Sequence, residues 1–234
     1  MSSNNQKLKL REAINLTDYQ LNIRKDLKIL VVGSSGAGKT SFVKRWTKDE
    51  FKEGYQATIV SEFGFKIHES KGNCYRIQLW DIGGQDKSPS MAKIFSRDSH
   101  GCVVICDATS PKTLEETVTW QKLVSDEAKF LDGGKLPFVL VQNKVDLIES
   151  REEFENIENE TKKISEFNNY ENYFMTSVKQ SVNVEEAMTF LIDKIIERLE
   201  KYASTGNIIF NEQKTRDTIR IRNSSVAATK SSCC

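Results

Sequence analysis

The run Leu27-Lys28-Ile29-Leu30-Val31-Val32-Gly33-Ser34-Ser35-Gly36-Ala37-Gly38-Lys39-Thr40 passes from a short apolar stretch into a glycine-rich turn that closes on lysine and a hydroxyl. Glycine at both ends of a loop, then lysine and serine or threonine, after a strand and before a helix, is the pattern of a phosphate-binding loop. Gly33, Gly36 and Gly38 let the backbone turn so that successive N–H groups point at phosphate oxygens. The cradle expected here comprises Gly33, Ser35, Gly36, Ala37, Gly38, Lys39, Thr40 and Ser41. Lys39 is placed to reach the β and γ phosphates, and the Thr40 hydroxyl to take one position on Mg²⁺. The helix that begins here turns its positive end toward the anion. Phe42, Val43 and Trp46 follow at helical spacing over residues 41–48. A plain glycine-rich turn between strand and helix is the competing reading.

Outward from this loop, 234 residues with 38% hydrophobic content can build one generous domain plus tails. The net charge of +1 names no partner class. Residues 1–9 are polar and read as no signal peptide, and no apolar run approaches the about 20 residues of a membrane helix, so a cytosolic protein is expected. Cys74, Cys102 and Cys106 lie in apolar, strand-like stretches, and neither His68 nor His100 adds a zinc-site ligand pair, so these cysteines read as core.

Residues 1–26 read as a flexible extension. Residues 51–59 have no periodicity and lead into two alternating stretches, 62–68 and 73–82, joined at 69–72 as a hairpin-like pair. Residues 101–106 and 136–141 read as buried strands, 111–131, 150–167 and 184–202 as helices, and 173–176 as a last short strand. Strands alternating with helices predict an α/β fold, a mostly parallel six-stranded sheet with helices on both faces. Ligands on such sheets bind at the carboxyl ends of the strands, where each polar motif falls.

Those motifs choose among nucleotides. After the second buried strand, Asn143-Lys144-Val145-Asp146 offers a carboxylate, Asp146, that can accept from the ring N–H and exocyclic amine of guanine, a donor pair adenine lacks. Asn143 is placed to brace the loops, the Lys144 stem to lie over the base, and the Val178 N–H within Ser177-Val178-Lys179 to donate to the guanine carbonyl. Phe51 is placed to cover the base edge. In isolation Asn143 to Asp146 would be a polar turn; the phosphate loop gives it meaning.

Together these segments resemble the Ras superfamily of small GTPases over about residues 26–203, which makes the expected fold a P-loop G domain at 27–203 binding GTP or GDP with Mg²⁺. The resemblance implies that Asp81 holds Mg²⁺ through water, Gly84 hydrogen-bonds the γ phosphate, and Thr58 completes the metal shell only with GTP. Gln85 is placed by it to orient the attacking water, with Lys39 assisting. Loss of the γ phosphate would then release two loops at once. Within the superfamily the chain is similar to the Rab branch, in particular the subgroup serving lysosome-related organelles. Phe63, Trp80 and Phe95 fall where Rab proteins place an aromatic triad read by effectors, with an ordinary core role the alternative for Trp80. Residues 204–234 are polar and read as a disordered tether ending in Cys233-Cys234, which resembles the Rab substrate for double geranylgeranylation.

This resemblance implies exchange factors, GTPase-activating proteins, effectors, prenyl-delivery and GDP-dissociation-inhibitor proteins as partners, a monomer, and no nucleic acid. It places the chain on the cytoplasmic face of endosomal, lysosome-related or Golgi-derived membranes, cycling with the cytosol. Departures are Val60 for a usual glycine, Gly83 for alanine, Val178 for alanine, and Asp86-Lys87-Ser88-Pro89 where Rab proteins start the second switch differently. They keep open an alternative: a nucleotide-loaded scaffold whose altered second switch no longer cycles.

Overall fold

The computed structural model describes residues 23–54, 61–84 and 89–204. Strand β1 (Ile23–Gly33) starts upstream of the apolar run, inside the segment read from sequence as an extension. Its main chain pairs with the neighbouring strand from Ile23 opposite Cys74, and Arg76 of that strand forks the Asp26 carboxylate, donating from Nε at 2.7 Å. Polar pairing of this kind leaves no hydrophobic periodicity to read.

The order that follows is α1 (Lys39–Lys48), β2 (Ser61–Ser70), β3 (Asn73–Ile82), α2 (Pro89–Ser96), β4 (Gly101–Asp107), α3 (Pro111–Glu127), β5 (Phe138–Asn143), a 3₁₀ turn (Val145–Leu147), α4 (Arg151–Phe167), β6 (Asn172–Met175) and α5 (Val184–Ser204). The sheet runs β2-β3-β1-β4-β5-β6. Its pairs are parallel except β2 with β3, an antiparallel hairpin. Lys71 and Gly72 close that hairpin with φ of 51° and 73°, as a two-residue turn of the right twist requires. Every residue of β4 and β5 is buried, which is why both read as continuous apolar runs.

Helices cover both faces. Lys66 of β2 lies over the Trp46 ring of α1 at 4.8 Å and donates to Glu185 of α5 at 2.9 Å, so α1 and α5 share one face. Gly101 brings α5 close: a Cβ there would sit 2.7 Å from Ile195. On the other face α3 packs on β1, β4 and β5 with Leu114, Thr117, Trp120 and Val124 buried. Tyr170 donates to the Thr117 carbonyl at 3.2 Å, and Thr161 of α4 to Gln142 of β5 at 3.3 Å. Helix α3 ends at Glu127 rather than 131, because Ala128 turns extended and Phe130 donates to the Gly134 carbonyl in a turn of its own.

Cys102 and Cys106 sit in the core, where the Cys106 thiol donates to Gln142 at 2.7 Å and burial pushes its pKa up. By its contacts the chain divides after Glu197; the first unit holds the sheet, and the described part of the second is the end of α5. No described helix is long and apolar enough to cross a membrane.

Candidate functional site

The carboxyl ends of β1, β3 and β5 open into a cleft of about 540 Å³. Of the residues singled out in the sequence, Ser35, Gly36, Gly38, Lys39, Thr40, Ser41, Phe51, Gly84, Asn143, Lys144, Asp146, Val178 and Lys179 line it. Gly33, Ala37, Asp81 and Ser177 stand behind the wall. Thr58, Gln85, Cys233 and Cys234 lie outside the described residues.

The phosphate loop is built on positions where only glycine fits. At Gly33 (φ 140°) a Cβ would lie 2.0 Å from the Ile105 carbonyl oxygen, and at Gly38 (φ 99°) 2.4 Å from the Asn143 amide nitrogen. Gly84 is tight in the same way, 2.5 Å from both Lys39 Nζ and the Ser35 nitrogen. Lys39 is buried and donates to the Ser34 carbonyl at 2.9 Å, so it lies back along the loop. Desolvation pulls its pKa down to about 8, partly opposed by Asp81.

Asp81 is fully buried behind the lining, next to Thr40, and burial pushes its carboxyl up to about 6 against the hydrogen bond from Thr40 and the charge of Lys39. The Thr40 hydroxyl donates to Asp81 Oδ2, while Oδ1 is buried without a hydrogen-bond partner. A hydroxyl and a carboxylate with an unsatisfied oxygen, converging beside a lysine, are the hard oxygen donors that Mg²⁺ takes. The residues present therefore fit that ion.

At the end of the cleft near β5, Asn143 joins two loops. Its Nδ2 donates to the Ala37 carbonyl at 2.9 Å, and its Oδ1 accepts from the Val178 N–H at 3.1 Å and the Thr176 hydroxyl at 3.3 Å. The Val178 N–H, read from sequence as a donor to a base carbonyl, is thus already held by Asn143. It reaches a base only by sharing or leaving that bond. Asp146 accepts from the buried Ser177 hydroxyl at 2.5 Å, which orients its carboxylate at the cleft. Lys144 adopts φ 68°, and its ammonium meets Asp107 at 2.5 Å, laying the stem along the cleft wall.

Three contributors were missed in the sequence. Asp107 ends β4 and takes Lys144 as well as the Thr109 N–H at 2.9 Å; its position at a strand's carboxyl end was the available signal. Arg45 of α1 donates to the Val178 carbonyl at 3.0 Å and the Lys179 carbonyl at 3.2 Å. Glu53 pairs with Lys179 at 2.8 Å, and that ammonium holds the Glu53 carboxyl below its usual range. Arg45 and Glu53 carried no motif. A further contact from the phosphate loop runs from the Ser34 hydroxyl to Glu116 of α3.

Away from the cleft, Phe63, Trp80 and Phe95 form one row: ring centroids are 5.4 Å apart for Phe63 and Trp80, edge to face, and 6.2 Å for Trp80 and Phe95. Phe63 is 53% exposed and Phe95 is 9% exposed, so the row runs from surface to core. Phe65 extends it at 6.3 Å from Phe63.

The Ras family profile matches residues 28–197. The chain belongs to the Ras family. This Ras-family member is 29% identical over 208 residues to human Ras-related protein Rab-32, covering 88% of each chain. It is 32% identical over 190 residues to Ras-related protein Rab-7L1 of Rattus norvegicus, covering 78% of this chain and 90% of that one. It is 34% identical over 171 residues to Ras-related protein Rab-32A of Dictyostelium discoideum, covering 72% and 77%. It is a Rab-type small GTPase related to the Rab-32 subgroup, with the α/β G-domain fold, and as such a GTP-binding switch of the trafficking kind.

Proposed function

We propose that this chain binds GTP in the cleft, hydrolyses it to GDP and phosphate, and uses the difference between the two states to recruit effectors at an endomembrane to which its terminal Cys233-Cys234 pair is prenyl-anchored. The observation that carries the nucleotide assignment is Asn143, which ties the phosphate loop at Ala37 to the base-side loop at Val178 with Asp146 beside it. A site assembled this way needs a ligand with an anionic end and a guanine-like end.

In this reading the loop N–H groups of residues 35–40 hold the β and γ phosphates, and Lys39 swings from the Ser34 carbonyl to meet them. Thr40, Asp81 and Thr58 would hold Mg²⁺, which supplies positive charge to the phosphate oxygens. Gln85 orients the attacking water in line with the leaving group, and Gly84 donates to the γ phosphate. Thr58 and Gly84 lose their contacts when that phosphate leaves, so chemistry and release of the flanking segments share one trigger. An arginine from an activating protein would accelerate the step by about 10³ to 10⁵. Exchange factors, prenyl-delivery proteins and a GDP-dissociation inhibitor complete the cycle, and the row of Phe63, Trp80 and Phe95 meets the effector at its exposed Phe63 end.

The test is to denature purified protein, identify the released nucleotide, and follow single-turnover hydrolysis. Native protein is expected to release GDP, and Gln85→Leu to release mostly GTP and to hydrolyse at least about tenfold more slowly. An adenine nucleotide would remove Asp146 from base recognition. GTP from the native protein would instead favour the non-cycling scaffold, and an unchanged rate in Gln85→Leu would remove Gln85 from the mechanism.

A further inference from the structure

Three segments meet over the base side of the cleft, and the charged side chains that join them have no part in the proposed chemistry. Arg45 is the inner one. Its side chain is only 14% exposed, yet every guanidinium nitrogen is engaged: Nε and one terminal nitrogen with the carbonyls of Val178 and Lys179, the other terminal nitrogen with the Asp49 carbonyl at 3.1 Å and carboxylate at 2.8 Å. The same guanidinium lies 5.9 Å from the centre of the Phe51 ring. The Val178 main chain is therefore held on both sides, by Arg45 at its carbonyl and Asn143 at its N–H.

Outside this stands the second contact, Lys179 with Glu53, whose side chains are 52% and 74% exposed. Phe51, Glu53 and Gly54 line one lip of the cleft, Val178 and Lys179 the other. Between the two lips the Glu53–Lys179 pair is a direct bridge, and Arg45 joins them by donating to the Val178 and Lys179 carbonyls while lying beside Phe51.

We propose that Arg45 and the Glu53–Lys179 pair form a clasp that sets how fast bound nucleotide leaves, with Arg45 positioning the 177–179 loop and Glu53–Lys179 latching it to the 50–54 segment. The inference rests on the cleft being a guanine-nucleotide site. The two parts differ in physical character. An exposed ion pair carries a small, salt-screened effect, about two- to fivefold in rate. A fork shared between the part-buried Val178 carbonyl and the exposed Lys179 carbonyl cannot be replaced by a point charge, so its loss costs more, about tenfold.

The experiment loads the full chain with a fluorescent GDP analogue and chases it with excess unlabelled GDP, with Mg²⁺ present, at low and high salt. Glu53→Lys is expected to release the analogue about two- to fivefold faster at low salt, with the difference shrinking at high salt. Adding Lys179→Glu to it should return the rate toward the native value. Arg45→Ala should release about tenfold faster and Arg45→Lys should fall between, with association rates little changed in all. Should Arg45→Ala not fold, the surface variant Glu53→Lys and its charge-swapped partner still decide. Native protein that loads no analogue at all overturns the nucleotide reading and the clasp with it. Native protein that loads normally, with Glu53→Lys and Arg45→Lys releasing at the native rate, overturns the clasp alone.

Discussion

His100 shows how one side chain can serve the framework under the site. Its Nδ1 accepts the Lys28 N–H at 3.1 Å while its own main-chain N–H donates to the Lys28 carbonyl at 2.8 Å, so it seals the junction where β4 meets β1. Burial pushes its pKa below the ordinary 6.5; Asp98 and Asp26 oppose this and Lys28 reinforces it. Protonating Nδ1 would turn the acceptor into a second donor facing an N–H. Because the folded value lies below the unfolded one, the contribution is whole above about pH 6.5 and is lost as the pH falls through the folded value. The urea midpoint of the native protein should therefore drop more steeply on acidification below that pH than that of His100→Gln, which keeps an acceptor without titrating. Parallel slopes would show that the imidazole takes up its proton at the same pH folded and unfolded, so that burial does not shift it. At this scale the phosphate loop was legible, because its chemistry needs glycine, lysine and a hydroxyl in a fixed local order. Arg45 and Asp107 were not. Arg45 acts on main-chain carbonyls 133 and 134 residues away, and a carbonyl acceptor leaves no mark on the identity of its residue. The bond from the Val178 N–H to Asn143 was not legible for the same reason, since Asn143 reaches it across 35 residues.

Among the elements, α5 was easily read, because Met188, Leu191, Ile192, Ile195 and Ile196 repeat at helical spacing and all are buried. Leu191 is fully buried on the side that approaches Gly101. Leu191→Ala should cost about 2–5 kcal/mol, read as a lower urea midpoint with an unchanged m-value; a loss under about 1 kcal/mol would mean that the site collapses around the gap. Element ends were harder. β1 begins in polar residues held by the fork from Arg76 to Asp26, and α3 stops where Ala128 turns extended with no glycine or proline to announce it. By contrast Ser150, whose side chain accepts from the Glu153 N–H, begins α4 at a recognisable cap.

For the molecule as a whole, the alternation of strands and helices was enough for the α/β layers, and the phosphate loop for the end of the sheet that carries the site. The proposed membrane anchor belongs to this scale and lies outside the described residues. Replacing Cys233 and Cys234 by serine should move the protein from the membrane pellet to the supernatant on fractionation; unchanged pelleting would assign the anchor elsewhere. The sheet order also bears on how the chain matures as it emerges from the ribosome. The β2–β3 hairpin joins neighbours, but central β1 pairs Leu27 with Ile77 and Ile29 with Gly101, and α5 seats Ile195 on Gly101. The residues of the phosphate loop are among the first made and Val178 among the later ones, yet Asn143 must touch both. A nascent chain that has not yet released Val178 from the tunnel thus carries the whole phosphate loop while Asn143 still lacks its second tie.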